Sequence, residues 1–312
     1  MKPRPLSQLN GVNKRTYCQD VFGITDAPPV MEDVSYVPRK WLDVPYFPGS
    51  DKGLLDIYLP DEGEGPFPVI LYIHGGAWIG GHRRPDLIHG WLTARAHGYA
   101  VAAASYTLAQ DGDFPVQTYD AKAAIRFLKA HADQYRLDPR RIGLIGDSAG
   151  GHLVALLGVS AGRDELEDLS MGNEAYDSSV QAVVDWYGPV DFLHYTQDFA
   201  EEGVTCEMPL EQEDASPLSL LLGCRPTDCP DRARLANPLT YITPSCPPFL
   251  IQQGTKDQLV PYPQSVRLAK ALQAAGVPVE LDLFEGAIHG GEPFISQANL
   301  ERVWSFFDRY LK

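Results

Sequence analysis

A serine between small residues is the first candidate for chemistry, in the stretch LIGDSAGGHLVALLG, residues 144–158. An apolar run that predicts a strand precedes it, and an apolar run that predicts a helix follows. A strand–turn–helix lifts a side chain clear of the backbone and directs the N–H groups of the helix N-terminus toward a developing anion. Ser148 is therefore the candidate nucleophile. Because a lone GxSxG pattern also arises by chance, the alternative is a tight turn of small residues.

A serine hydroxyl attacks only when a base removes its proton, and His289 is the candidate base. The chain has eight histidines, and His289 lies far downstream in FEGAIHGG, directly after the last predicted strand. The surrounding glycines suit a loop that brings the imidazole over Ser148. The alternative for a single histidine is a surface or packing role.

The base needs a carboxylate that orients it, and Asp257 is the candidate. It follows the predicted strand FLIQQG in the loop GTKDQLVP, which gives the chain order serine, aspartate, histidine. Asp185 and Asp191, near the preceding predicted strand, are rivals for this position. Asp147 is expected to stabilise the turn at the serine.

Backbone donors for an oxyanion are predicted where the strand that ends at His74 runs into Gly75, Gly76, Ala77 and Trp78. Glycines let backbone N–H groups approach a substrate oxygen closely. We expect Gly75 and Gly76 to act as donors together with Ala149, the residue after the serine, and we expect His74 to order the loop. The alternative, a loop that cradles phosphate, is disfavoured because no lysine stands at P-loop spacing.

Three aromatic residues fall near the same predicted sheet edge and could form a substrate pocket, namely Trp78, Trp186 and Tyr187. Ordinary core packing is the alternative for each of them. His152, in the predicted helix after the serine, is expected to pack within the fold.

Alternating strands and helices must position these residues. Such alternation predicts a mostly parallel sheet that is covered on both faces, with ligands at the carboxyl ends of its strands. Strands are predicted at 53–59, 67–74, 99–106, 141–146, 180–188, 247–254 and 279–286, and helices at 116–134, 149–161, 264–275 and 299–312.

We expect one domain over residues 1–312 with one interruption. Residues of about 191–240 break the alternation with acids, prolines and two cysteines. They predict a partial cap over the site, which residues 1–45 could join. The alternative is a surface excursion without function.

The composition excludes some classes of protein. The 312 residues carry 26 basic and 41 acidic side chains, a formal net charge of −15, which argues against nucleic-acid binding and favours neutral or cationic substrates. No membrane segment, metal or cofactor is expected, and the oligomeric state is left open. An odd number of cysteines, five, without an N-terminal apolar segment predicts a cytoplasmic protein. Free thiols are favoured at Cys224 and Cys229, and their spacing leaves a disulfide as the alternative.

The chain resembles the α/β-hydrolase superfamily from GLLDIYLP to its last helix. The motifs YIHGGAWIGG, GDSAGGHL, GTKDQLVP and EGAIHGG are similar to those of hormone-sensitive-lipase-type esterases, and more closely to acetyl-xylan and feruloyl-esterase-like (BD-FAE-like) proteins. The resemblance implies an α/β-hydrolase fold and a catalytic triad of Ser148, Asp257 and His289. Ala77 replaces the third glycine of the usual HGGG, a departure shared with kynurenine-formamidase-like enzymes.

The resemblance implies a serine esterase that needs no cofactor and forms an acyl-enzyme. The expected substrates are short-chain or small aromatic acyl esters, with acetyl or feruloyl esters of plant-polysaccharide fragments as candidates. The alternatives are an amide hydrolase of the kynurenine-formamidase type and a hydrolase homologue that only binds a ligand.

Overall fold

The computed structural model describes residues 8–9, 12–25, 27, 29–47 and 53–312, so part of the region 1–45 that could join the cap lies outside the described residues. The strands in these ranges are β1 Gln8–Leu9, β2 Val12–Asn13, β3 Lys40–Pro45, β4 Leu54–Tyr58, β5 Phe67–Ile73, β6 Ala100–Ala104, β7 Leu137–Asp147, β8 Ala182–Trp186, β9 Phe249–Gly254 and β10 Val279–Phe284.

The helices alternate with most of these strands. They are α1 Lys14–Phe22, α2 Ile88–Trp91, α3 Val116–Ala130, α4 Ala132–Tyr135, α5 Ala149–Val159, α6 Tyr195–Glu202, α7 Pro217–Leu222, α8 Pro230–Ala236, α9 Pro263–Ala274, α10 Glu292–Ile295 and α11 Gln297–Leu311. Short 3₁₀ turns occur at Leu92–His97, Asp164–Leu166, Leu169–Met171 and Pro238–Tyr241.

Eight strands form the central sheet, in the order β10-β9-β8-β7-β5-β6-β4-β3. Strands β10 to β6 run parallel, as the alternation predicted, whereas β4 and β3 add an antiparallel edge. In the parallel part Ile73 pairs with Gly146, and Asp147 pairs with Trp186. This register brings the carboxyl ends of β5, β7 and β8 level with one another.

Strand β5 shows why the sheet is covered on both faces. All seven of its residues are buried, and successive side chains point to opposite faces. Leu71 and Ile73 join a core that includes α3, α5 and α9, whereas Ile70 and Tyr72 join a second core under α11 and residues 88–92. A continuous apolar run is what a strand between two such cores requires.

The predicted cap region contains helices α6, α7 and α8. A polar network fixes the first of them to α9. Asp198 of α6 accepts two hydrogen bonds from the Arg267 guanidinium, at 2.6 and 2.9 Å, and one from Gln264. Asp198 is fully buried, so these donors satisfy a carboxylate that would otherwise lack partners. The start of the cap is thereby anchored to the domain core.

Candidate active site

Ser148 lies at the turn between β7 and α5, in a backbone conformation that residues other than glycine rarely adopt. Its φ is 54° and its ψ is −119°, and its N–H donates to the carbonyl oxygen of Trp186 at 2.8 Å. Positive φ costs on the order of 1–3 kcal/mol for a residue other than glycine and persists where the surroundings enforce it. The strand–turn–helix predicted for this serine is therefore present, with the backbone strain concentrated at the serine itself.

The glycines around Ser148 serve the packing of the backbone. A Cβ at Gly146 would lie 2.4 Å from the carbonyl oxygen of Gly150, and a Cβ at Gly150 would lie 2.0 Å from that of Ile73. Any side chain at either position would push the turn away from β5. The small residues of the motif thus hold the serine turn against the neighbouring strand.

Asp257 and His289 meet as the sequence predicted. The Nδ1 atom of His289 lies 2.7 Å from Oδ2 of Asp257, and the aspartate is fully buried. Oδ1 of Asp257 accepts the N–H groups of Leu259 and Val260 at 2.8 and 2.9 Å, and the Gln253 amide donates to Oδ2 at 2.9 Å. These donors fix the carboxylate, which contacts Nδ1 of the imidazole, and His289 lines the same cavity as Ser148.

The two rival aspartates are engaged elsewhere. Asp191 pairs with Nδ1 of His194 at 2.8 Å, and Oδ1 of Asp185 accepts the N–H of Gly188 at 2.9 Å. Burial raises the pKa of Asp185 to about 7, and its Oδ2 atom has no partner among the described residues. Asp257 is therefore the carboxylate that the fold delivers to His289.

The predicted oxyanion donors divide into two groups. Gly76 and Ala149 line the cavity at Ser148, as does Ala77. Gly75 lies outside this lining, and its N–H donates to Oδ1 of Asp147 at 3.2 Å. The structure thus corrects the prediction for Gly75, because its only backbone donor is used to hold the loop. Gly76 and Ala149 remain the proposed oxyanion donors.

Two buried histidines support the loop and the helix. Nδ1 of His74 lies 2.7 Å from the carbonyl oxygen of Gly75, and its ring stacks on Tyr106 with centroids 4.3 Å apart. Nε2 of His152 lies 2.8 Å from the carbonyl oxygen of Ala236, at the end of the cap. Burial lowers the pKa of each histidine to about 4, so both are neutral at pH 7. These contacts match the ordering role predicted for His74 and the packing role predicted for His152.

A cavity of about 520 Å³ opens at Ser148 and His289. Most of its lining is apolar, and the cap supplies one wall. The cap side chains in the lining are Tyr195, Cys206, Met208, Pro209, Pro217 and Leu218. Leu87, Leu259 and Val260 add further apolar surface. The titratable side chains of the lining are Asp147, His289, Cys206, Tyr187 and Tyr195. This lining suits a neutral, apolar substrate group.

The three predicted pocket aromatics do not share one role. Trp78 and Tyr187 line the cavity, and the Tyr187 ring lies 4.6 Å from that of His289. Trp186 is instead fully buried against Trp91, with ring centroids 4.5 Å apart, and against Phe294. The prediction for Trp186 is therefore wrong, because as the last residue of β8 it points into the core beneath α11.

The cysteines of the cap also differ from the expectation. Cys224 and Cys229 form a disulfide between α7 and α8, with Cα atoms 6.3 Å apart, so the prediction of free thiols is wrong. Cys18, Cys206 and Cys246 are free. The cytoplasmic location, predicted from the odd number of cysteines and the N-terminal sequence, stays a prediction.

The N-terminal region meets the cap through α1. The buried Lys14 ammonium donates to Asp113 and to the carbonyl oxygen of Leu220 in α7, and burial lowers its pKa. The Asn13 side chain caps this helix by accepting the N–H groups of Arg15 and Thr16. Helix α1 therefore packs against the region predicted as the cap, whereas β3, in the same N-terminal region, forms the edge of the central sheet.

One group of metal-ligating side chains occurs in the described part of the chain. Donor atoms of Glu32, Asp86 and His89 lie within 4.8 Å of one another. Nε2 of His89 contacts Glu32 at 3.2 Å and Nδ1 contacts the Tyr36 hydroxyl at 2.8 Å, so protein groups already occupy both ring nitrogens. We assign no metal to this group. Within the described ranges, every helix is too short or too polar to cross a bilayer.

The fold is that of an α/β-hydrolase, with a mostly parallel sheet and a serine turn after β7. Asp257 and His289 follow β9 and β10, and they are in contact. The chain belongs to the BD-FAE family, whose model matches residues 55–272. It is 32% identical to Esterase LipQ of Mycobacterium tuberculosis over 75% of this chain and 53% of that protein. The chain spans about half the length of the curated relatives it matches.

Solved structures of carbohydrate esterases share this fold. A truncated carbohydrate esterase from gut microbiota has a TM-score of 0.79 and 29% identity, over 90% of this chain and 99% of that one. A bifunctional GH43-CE protein of Bacteroides eggerthii has a TM-score of 0.78 and 32% identity, over 87% of this chain and 35% of that one.

Proposed function

We propose that the protein is a serine carboxylesterase that works through an acyl-enzyme. The observation that carries the proposal is the contact between Asp257 and His289 at 2.7 Å, with the imidazole and Ser148 lining one cavity. The likeness to named esterases supports it independently. Hydrogen-bonded acid and base groups beside a serine on a strained turn are the parts that acyl transfer requires.

In the proposed mechanism, His289 removes the Ser148 proton through Nε2 while the serine oxygen attacks the ester carbonyl. Asp257 holds the imidazole with Nδ1–H directed toward it and stabilises the imidazolium that forms. The N–H groups of Gly76 and Ala149 bind the oxyanion, a contribution of roughly a hundred- to a thousandfold in rate per donor. His289 then protonates the departing alcohol, and water activated by the same imidazole releases the acid.

The substrates we propose are short-chain or small aromatic acyl esters, with acetyl and feruloyl esters of plant-polysaccharide fragments as candidates. The apolar cavity of about 520 Å³ supports an uncharged acyl group. The likeness to carbohydrate esterases supports a sugar as the alcohol part of the ester. The net charge of −15 also favours neutral over anionic substrates.

A panel of esters tests the substrate class. Acetyl, butyryl, octanoyl and feruloyl groups on one fixed alcohol should give the highest kcat/KM for acetyl, butyryl or feruloyl. A clear preference for octanoyl would contradict the proposed acyl range. N-formylkynurenine belongs in the same panel, and a higher kcat/KM for it than for p-nitrophenyl acetate would identify an amide hydrolase instead.

Labelling with a fluorophosphonate probe tests the nucleophile. The intact protein should label, whereas Ser148→Ala should not. Failure of the intact protein to label, beside a serine esterase that labels under the same conditions, would favour a homologue that only binds its ligand.

A further inference from the structure

Asp147, the residue before Ser148, makes contacts that the proposed mechanism does not use. Its Oδ1 atom accepts the Tyr72 hydroxyl at 2.8 Å and the N–H of Gly75 at 3.2 Å. Tyr72 belongs to β5, and Gly75 belongs to the loop that follows it. One carboxylate at the end of β7 therefore binds two groups of the neighbouring strand and its loop.

The loop after β5 packs directly on Asp147 and leaves no room for a side chain at Gly75. A Cβ at Gly75 would lie 2.3 Å from Oδ2 of Asp147 and 2.9 Å from its carbonyl oxygen. The strands beneath are paired at the same level, since Ile73 pairs with Gly146. The position of Gly75, and hence of the next residue Gly76, is thus set against the serine turn.

Both halves of the proposed oxyanion hole then depend on one residue. Gly76 comes from the loop that Asp147 holds, and Ala149 lies two positions after Asp147 in the chain. Donors contribute fully to catalysis only when they are fixed at hydrogen-bond distance from the developing oxyanion. A loop free to shift by 1 Å would lose much of that contribution.

We propose that Asp147 is a positioning residue that holds the oxyanion loop in register with the serine turn through Gly75 and Tyr72. The inference rests on the proposed esterase function. The role needs an acceptor oxygen rather than a negative charge, since both contacts use Oδ1 as an acceptor. The negative charge of a carboxylate repels a developing oxyanion nearby, so the charge of Asp147 does not itself favour the reaction.

Steady-state kinetics on p-nitrophenyl acetate test the inference with Asp147→Ala and Asp147→Asn. Alanine removes the acceptor and should lower kcat roughly a hundred- to a thousandfold, with KM changed by less than about threefold. Asparagine keeps an acceptor oxygen and should retain kcat within about tenfold of the wild type. Tyr72→Phe, which removes one of the two donors, should lie between them.

Asp138→Asn is a matched control, because Asp138 lies at the other end of β7 and contacts Arg140 and Arg141. It should leave kcat unchanged. A trifluoromethyl ketone, whose adduct with the serine carries an oxyanion, should bind more weakly to Asp147→Ala by about the loss in kcat. A merely structural role would not produce this match.

Hydrogen exchange of the Gly75 amide, followed by NMR, reads the contact without any activity. Exchange should accelerate in Asp147→Ala and stay slow in Asp147→Asn. Near-native kcat and unchanged exchange in Asp147→Ala would overturn the inference. Equal damage by asparagine and alanine would overturn the acceptor role, and an inactive wild type with the expected exchange pattern would overturn the esterase function alone.

Discussion

Gly150 lies so close to strand β5 that a Cβ there would be 2.0 Å from the carbonyl oxygen of Ile73. This carbonyl belongs to the backbone and cannot rotate away as a side chain would. The distance ties the first turn of α5 to the strand that leads into the oxyanion loop. The contact of Gly150 with Ile73 therefore fixes helix α5 and the serine turn relative to the oxyanion loop.

Gly150→Ala should destabilise the protein and lower its activity. The added methyl forces α5 away from β5, and overpacking of this kind typically costs 1–3 kcal/mol. Urea unfolding measures the loss, and kcat on p-nitrophenyl acetate should fall with it. Gly90→Ala is the matched control, because its Cβ would meet Leu300 at an ordinary 3.8 Å in a helix. Equal stability of the two variants would contradict the contact.

Ser148→Gly and Ser148→Ala should separate strain from chemistry. Both remove the nucleophile and should reduce kcat by several orders of magnitude. Glycine adopts a φ of 54° without a steric penalty, so Ser148→Gly should be more stable than Ser148→Ala by roughly 1 kcal/mol. Thermal unfolding decides this order. The reverse order would show that the turn is not strained, and residual near-native activity in both would exclude Ser148 as nucleophile.

Asp257→Asn should lower kcat by roughly a thousandfold or more, since an amide no longer fixes the imidazole with Nδ1–H inward. The contacts of Oδ1 with Leu259 and Val260 can survive, so the fold should persist, as circular dichroism would show. Asp191→Asn is the matched control and should stay within about threefold of the wild type, because Asp191 pairs with His194. A larger loss in the control would move the acid to the preceding strand.

Asp185→Asn should change how stability depends on pH. Burial raises the folded-state pKa of Asp185 from 3.8 to about 7, so between these values the folded protein holds more protons than the unfolded chain. The free energy of unfolding of the wild type therefore falls as pH rises through this window, by up to roughly 4 kcal/mol from this group. Asparagine does not titrate and escapes this loss.

The difference in unfolding free energy between Asp185→Asn and the wild type should thus grow in favour of the variant from pH 4 to pH 8. Urea denaturation at several pH values measures this slope, whatever constant offset the new amide introduces. A flat difference for Asp185→Asn would show that its carboxyl ionises as freely when folded as when unfolded.

The pairing of Asp257 with His289 could be predicted from sequence because residues that follow parallel strands must gather at one sheet edge. It was harder to predict which aromatic side chains line the cavity. Trp186 and Tyr187 are adjacent, yet one enters the core and the other lines the cavity. An apolar run in the sequence shows that its residues are buried. It does not show to which side each side chain points at the end of a strand, where the regular alternation stops.

Other differences have physical causes of the same kind. Gly75 was predicted as a donor to substrate, but its amide partner is a side chain 72 residues away, which no local pattern reveals. The disulfide of Cys224 and Cys229 depends on how α7 and α8 meet, and the spacing alone left it open. Strand β3 was missed because its residues alternate between exposed and half-buried positions at the sheet edge.

The acid and base loops are also joined to each other by their backbones, since the Lys256 N–H donates to the carbonyl oxygen of Ala287 at 2.8 Å. One wall of the cavity comes from a different source, the segment inserted between β8 and β9. That wall and the pair of Asp257 and His289 are therefore encoded in separate stretches of chain. Substitutions of the lining residues Met208, Pro209 and Leu218 alter this wall without replacing any residue of the loops that carry Asp257 and His289.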